Sequence, residues 1–199
     1  MKNIVTGIII LFFWNISNAQ LVSNINNALK IPDSLGWQKE LRIYEFESIT
    51  NYRSLFRLYQ TDDKNWHVEY SKYYFSLDTS KADKVVNIKI SAKSDFELLW
   101  LKILDTDIEH LTQWKNIEYK LKEKGEIKFE RGEYDMVWKS KRSLDGKSYM
   151  IEIRNEDNFN SITYSNPTEY LNSYPNVDEL NSLNELLQLI ESECSLSKS

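Results

Sequence analysis

A single cysteine, Cys194, in a chain of 199 residues excludes any internal disulfide. Its register with Leu187 and Ile190 on a helical pattern places it in the core. Glycine is nearly as scarce. Apart from Gly7 near the N-terminus, only Gly36, Gly125, Gly132 and Gly146 are present, all isolated. Neither a phosphate-cradling loop, a dinucleotide fingerprint nor a Gly-x-Ser-x-Gly elbow can be written with them, because those turns need backbone approach that only glycine allows. There are two histidines, His67 and His110. Zinc sites built on Cys and His are therefore excluded unless carboxylates supply most ligands. Basic residues number 25 against 30 acids, scattered along the chain. This leaves no electrostatic footprint for nucleic acid. No cofactor and no metal are expected.

One hydrophobic run stands out. Lys2 precedes an almost continuous apolar stretch from Ile4 to Trp14, and Ser17 and Ala19 occupy the −3 and −1 positions of a small-x-small cleavage site. This is the pattern of a signal peptide over residues 1–19, with Gln20 as the mature start. A spanning helix needs roughly 20 apolar residues, so no membrane span is expected after cleavage. Removal of Lys2 leaves a net charge of −6 and eliminates the only sequon, Asn15-Ile-Ser17. Eighteen asparagines, with many Lys and Ile, point to an AT-rich bacterial genome. The expected destination is the periplasm or the exterior.

The remainder, 41% apolar and 28% charged overall, reads as one domain over 20–194 with a fraying tail at 195–199. Val22, Ile25 and Leu29 have helical spacing. Alternating segments follow around 41–46, 53–60, 66–70 and 86–90. Ser94 with Glu97 forms a capping box, and Phe96, Leu99, Trp100, Ile103, Leu104, Ile108, Leu111 and Leu121 recur at helical steps. A helix of some 27 residues ending before Gly125 is expected, a rod about 40 Å long at roughly 1.5 Å per residue. Strands return at 126–130, 134–138, 149–154 and 159–164, with turns at Arg131-Gly132 and Asp145-Gly146. Asn166-Pro167 opens a helix. Asn176 opens another, with Leu180, Leu183, Leu187 and Ile190 as its buried stripe. The pattern is an α+β domain: a mainly antiparallel sheet of 7–8 strands packed by the long helix and C-terminal helices, arranged as two ββββα halves.

Asp105, Asp107 and Glu109 have the spacing of calcium-loop ligands. His110 stands where that loop requires Gly, and Asn116 where it requires Glu, so a solvated helix face is expected. The six Trp, twelve Tyr and eight Phe should mostly fill the sheet–helix core, the Tyr134, Met136 and Trp138 stripe included. One candidate site is left. His67, Glu69, Tyr73 and Phe75 share one face of the third strand, and exposed they would form a polar-aromatic binding surface. The expected function is a non-catalytic module binding a protein, a peptide or a glycan. A secreted hydrolase using carboxylates or a histidine, and an acidic antagonist of a basic partner, are the alternatives. The oligomeric state is not legible in the sequence. The export reading has a direct check: N-terminal sequencing of the exported protein should begin at Gln20, and an intact Met1 would refute it.

Overall fold

A computed structural model describes residues 20–76, 80, 82–141 and 146–194. The signal segment 1–19, the tail 195–199 and the Asp145 position of the expected second turn lie outside the described residues. Residues 20–29 are helical (α1). Four strands follow: β1 (Lys39–Glu47), β2 (Tyr52–Gln60), β3 (Trp66–Tyr74) and β4 (Lys84–Ile88). Then come α2 (Phe96–Leu104), α3 (Trp114–Ile117), β5 (Glu126–Glu130), β6 (Glu133–Val137), β7 (Lys147–Asn155), β8 (Asn158–Ser165), α4 (Pro167–Ser173) and α5 (Asp178–Glu193). The fold is α+β. Six strands form one antiparallel sheet in the order β4-β3-β2-β1-β7-β8, and β5-β6 form a separate two-stranded sheet.

Three sequence-based expectations are corrected. The halves are not repeats, because β7 returns to pair with β1 while β5 and β6 leave the main sheet. The 27-residue helix is also broken. α2 ends at Leu104; Thr106 Oγ1 donates to the Ile103 carbonyl at 2.7 Å, and Asp107 adopts φ 58°. Asp-Thr-Asp favours such local bonding over helix continuation. Ile108, Leu111, Ile117 and Leu121 remain buried, but from turns and short helical pieces. Asp95, not Ser94, caps α2. Ser94 instead bonds Glu193 at the end of α5, together with Lys102 at 2.6 Å.

The sheet has two apolar clusters, one on each face. On the first, Leu41, Ile43, Phe56, Leu58, Ile151 and Ile153 pack against Leu99, Trp100 and Ile103 of α2 and Leu180, Leu183 and Ile190 of α5. On the second, Tyr44, Leu55 and Tyr73 pack against Val22 and Ile25 of α1. The second face also carries a buried ion cluster. Glu40 Oε1 accepts from Arg42 Nε at 2.9 Å and Arg57 Nε at 2.8 Å, while Oε2 accepts from the Gly36 and Trp37 amides at 2.7 and 3.1 Å. Arg42 donates onward to the Pro32 and Ser34 carbonyls, and Arg154 to Leu35. These bonds clamp the 31–38 loop onto the sheet.

β5 and β6 differ from every other strand, since all their residues are exposed. The Arg131-Gly132 turn forms as expected, with φ values of 54° and 87°. The Tyr134, Met136 and Trp138 stripe is therefore not core. A lone hairpin has no second layer to bury its apolar face.

Burial opposes the Glu40 charge, but Arg42 and Arg57 outweigh it and lower its pKa below the usual 4.5. A depressed carboxylate stabilises above its unfolded pKa and loses that contribution as pH falls through the folded value. Removing one partner of a buried ion cluster strands the others. Glu40→Gln should therefore cost about 3–5 kcal/mol at neutral pH, read by urea unfolding. The difference from wild type should persist down to about pH 4.5 and close below it. A loss under about 1 kcal/mol at neutral pH would refute the clamp.

Candidate functional site

The strands of the main sheet change character along their length. On the α5 face, β1 runs Leu41, Ile43, Glu45, Glu47, and β7 runs back from Ile153 and Ile151 to Tyr149 and Lys147. β2 passes from Leu58 and Phe56 to Ser54 and Tyr52, and β3 from Val68 to Tyr70, Lys72 and Tyr74. The apolar ends lie under α2 and α5. The polar-aromatic ends sit side by side and form the floor of a cleft of about 900 Å3. Leu187, Ile190 and Glu191 of α5 form one wall, and Ile88 to Ser91 another.

Four tyrosines give the cleft its chemistry. The Tyr52 and Tyr70 hydroxyls are 3.1 Å apart, and the Tyr52 and Tyr74 rings lie 5.5 Å apart. Burial, then the hydrogen bond with Tyr70, raises the pKa of Tyr52. Burial with the charge of Glu45 raises that of Tyr149. The Tyr52 and Tyr149 hydroxyls therefore stay protonated. Lys72 Nζ stands 5.5 Å above the Tyr52 ring. Lys147 Nζ bonds Glu45 at 2.6 Å and lies 3.7 Å from Glu47. Burial works against the Lys147 charge, but Glu45 and Glu47 overcome it and raise its pKa. The cleft thus has an aromatic floor, an aliphatic wall and a mouth of fixed, mutually paired charges.

The four residues singled out from sequence do share one face of their strand, the face opposite the cleft, and α1 divides them. His67 and Glu69 are exposed. His67 stacks on Tyr59 at 5.1 Å, and Tyr59 on Trp37 at 5.8 Å. Glu69 accepts from Tyr59 Oη at 3.1 Å and Arg57 Nη1 at 3.4 Å. Tyr73 is buried beneath α1, and its hydroxyl bonds Asp83. Burial, then that bond, pushes its pKa up to about 12. Phe75 is half-buried and packs against Arg53. A smaller cavity of about 370 Å3, lined by Leu29, Ile31, Arg57, Glu69, Ser71 and Asn87, lies beside Glu69. The four do not form one surface. His110 is exposed in the turn after α2, and neither histidine lines the large cleft. Asp105, Asp107 and Glu109 occupy that same turn rather than a helix face, and no group of three or more potential metal ligands is found among the described residues.

Sequence reading missed the cleft. Its signal was present in the strand ends: Glu45, Tyr52, Ser54, Lys72, Tyr74 and Lys147 carry the same side-chain parity as the core, but polar chemistry. Comparison with family models, with curated proteins and with solved structures finds no match for this chain. No helix among the described residues is long and apolar enough to cross a membrane.

Cys194 lines the cleft wall yet is almost fully buried. Burial, then the charge of Glu193, pushes its thiol up to about 11. Since only the thiolate reacts, alkylation by iodoacetamide at pH 8 should run at least about 100-fold slower than for a free thiol and recover on unfolding. Native-state labelling at the rate of free cysteine would contradict this placement.

Proposed function

We propose that this protein is an exported, non-catalytic module that binds a small amphipathic ligand, such as a short peptide or a glycan segment, in the cleft between the sheet and α5. The cleft's four tyrosines are the observation that carries the reading. A volume of about 900 Å3 falls within the range of small-molecule sites, roughly 300–1,000 Å3. Tyrosine rings offer large stacking area at low entropic cost, and their hydroxyls fix orientation. The aliphatic wall of Leu187 and Ile190 would take the apolar part of the ligand, and the Lys147 and Lys72 region its polar part.

The lining favours binding over hydrolysis. Glu45 and Glu47 are engaged by Lys147, and Cys194 is held as a thiol. A nucleophile aligned with a base is what acyl or glycosyl transfer would need. The apolar run over residues 4–14, with its small-residue cleavage site, supports export to the periplasm or beyond.

An amphipathic dye, 1-anilinonaphthalene-8-sulfonate, gives a direct test. Its fluorescence titration is best made in a Phe129→Ser/Tyr134→Ser background, so that the exposed hairpin does not contribute. Replacing Tyr52 and Tyr74 by Ala should then weaken the dye's affinity about tenfold, or roughly 1.4 kcal/mol. Undiminished dye binding in a variant that keeps its fold by circular dichroism would sink the cleft as the site.

A further inference from the structure

The β5-β6 hairpin is the most exposed apolar feature among the described residues. Register pairs Ile127 with Met136 and Phe129 with Tyr134, so all four side chains lie on one face. Tyr134 is 80% exposed, Ile127 68% and Phe129 61%. Trp138 extends the stripe at 51%. It lies over Gly125, where a Cβ would stand 2.6 Å from its Nε1, and Lys122 Nζ sits 4.6 Å above its ring. Gly125 is therefore the residue that lets the indole fold onto the backbone at the hairpin's base. The opposite face carries Glu126, Lys128, Glu130, Glu133 and Asp135. The hairpin is amphipathic, and its apolar side meets water.

We propose that the apolar face of this hairpin is a self-association surface, packed face to face against the same hairpin of a second copy. Three observations select that occupant. First, the face is self-complementary. It has an aromatic row, Phe129 and Tyr134, next to an aliphatic row, Ile127 and Met136. A two-fold axis through its centre sets each row on the other, as an isologous interface requires. Second, the area suffices. Three aromatics exposed by half or more, with Ile127 and Met136, present roughly 500 Å2 per copy. Two copies bury about 1,000 Å2, near the lower bound for a specific interface. Third, the charge agrees. The hairpin's acids turn outward in such a sandwich, so net-acidic copies meet on Ile127, Phe129, Tyr134 and Met136, none of which is charged, with only Lys122 beside Trp138 at the hairpin's base. An anionic membrane would instead confront Glu130 and Glu133 beside the turn.

The experiment is sedimentation equilibrium on the full chain, expressed with its own leader and purified as the host processes it. The interface is small, so the expected monomer–dimer midpoint is in the range of about 1–100 µM. Salt should tighten it, because added ions screen the repulsion between two acidic copies. Phe129→Ser/Tyr134→Ser should weaken association at least about 30-fold and leave the thermal midpoint unchanged when it is read well below the dimerisation range, since both side chains lie outside the core. Lys128→Ser/Asp135→Ser, on the outward face, should leave it unchanged. A wild-type protein that stays monomeric to about 500 µM overturns the proposal. So does a dimer that the apolar-face variant does not weaken. This readout is independent of the cleft, so failure here leaves the ligand-binding reading standing.

Discussion

The Glu40 carboxylate holds this architecture together. It is fully buried and satisfied by four donors, two guanidinium Nε groups and two backbone amides. A lone charge there would be expensive, and only this pairing makes the site viable. Its consequences spread outward. The amides belong to Gly36 and Trp37, so the carboxylate pins the loop that follows α1. Arg42, oriented by the same carboxylate, bonds two more carbonyls of that loop. Tyr44, next on this face, donates to Asn26 of α1 at 2.8 Å. The helix is thereby set over Leu55 and Tyr73, which closes the second core. The cluster also contains an opposing member. Glu152 faces Arg42 in register, but its Oε2 is buried without a partner among the described residues, and burial raises its pKa. Protonation of Glu152 relieves that penalty as pH falls through its raised value, opposite in sign to Glu40. The cluster holds the loop through Glu40, not through the sum of its charges.

The cleft follows from where the helices sit. α2 is tied to one end of the sheet, where Glu97 accepts from Lys39 and Trp66, and Trp100 donates to Asn155. α2 and the longer α5 cover the apolar ends of β1, β2 and β7 and leave the other ends open. Those open ends bear Tyr, Ser, Lys and Glu rather than Ile and Leu. Sequence and coverage agree strand by strand, so the opening is encoded and is not a packing defect. The reverse face is divided the opposite way: α1 covers the end beneath the cleft, and the ion cluster occupies the end beneath α5.

Much of the fold was legible because alternation is a local property. The six long or half-buried strands, the Leu180, Leu183 and Ile190 stripe of α5 and the Arg131-Gly132 turn could all be read from side-chain period and turn chemistry, whereas Leu186 and not the expected Leu187 completes the buried stripe. Two errors share a physical origin. Ile108, Leu111 and Leu121 keep a helical rhythm and are buried, yet the backbone between them is broken into turns and short helical pieces. Periodicity reports burial, and the Asp105-Thr106-Asp107 bonding decides conformation. Similarly, Tyr134, Met136 and Trp138 do form one face, but a period cannot say what covers it. The same limit explains His67, Glu69, Tyr73 and Phe75. Their shared face was readable from β3 alone; that α1, encoded some forty residues earlier, buries one end of it was not. The cleft required strands to be aligned with one another, and register is set by tertiary pairing.

The two open surfaces are protected in different ways, and the contrast separates them. Exposed sheet edges invite strand addition, which natural proteins discourage with charge. β4 carries Lys84 at one end, with Lys89 just beyond the other, and β5 and β6 alternate every apolar residue with Glu, Lys or Asp apart from Val137. The hairpin is therefore guarded along its edges but not on its face. A free two-stranded ribbon is marginal in water, and its apolar side chains gain nothing from the core they never reach. Placing Phe129 and Tyr134 in contact at 4.7 Å orders them but leaves most of each ring wet. In the cleft, by contrast, the half-buried Tyr52 is held against Lys72, Tyr70 and Tyr74 on a six-stranded floor. Preorganisation of that kind suits a small ligand, which cannot offset the ordering of a loose site. An exposed, flat, two-row face suits a second macromolecular surface, which supplies enough area to offset it.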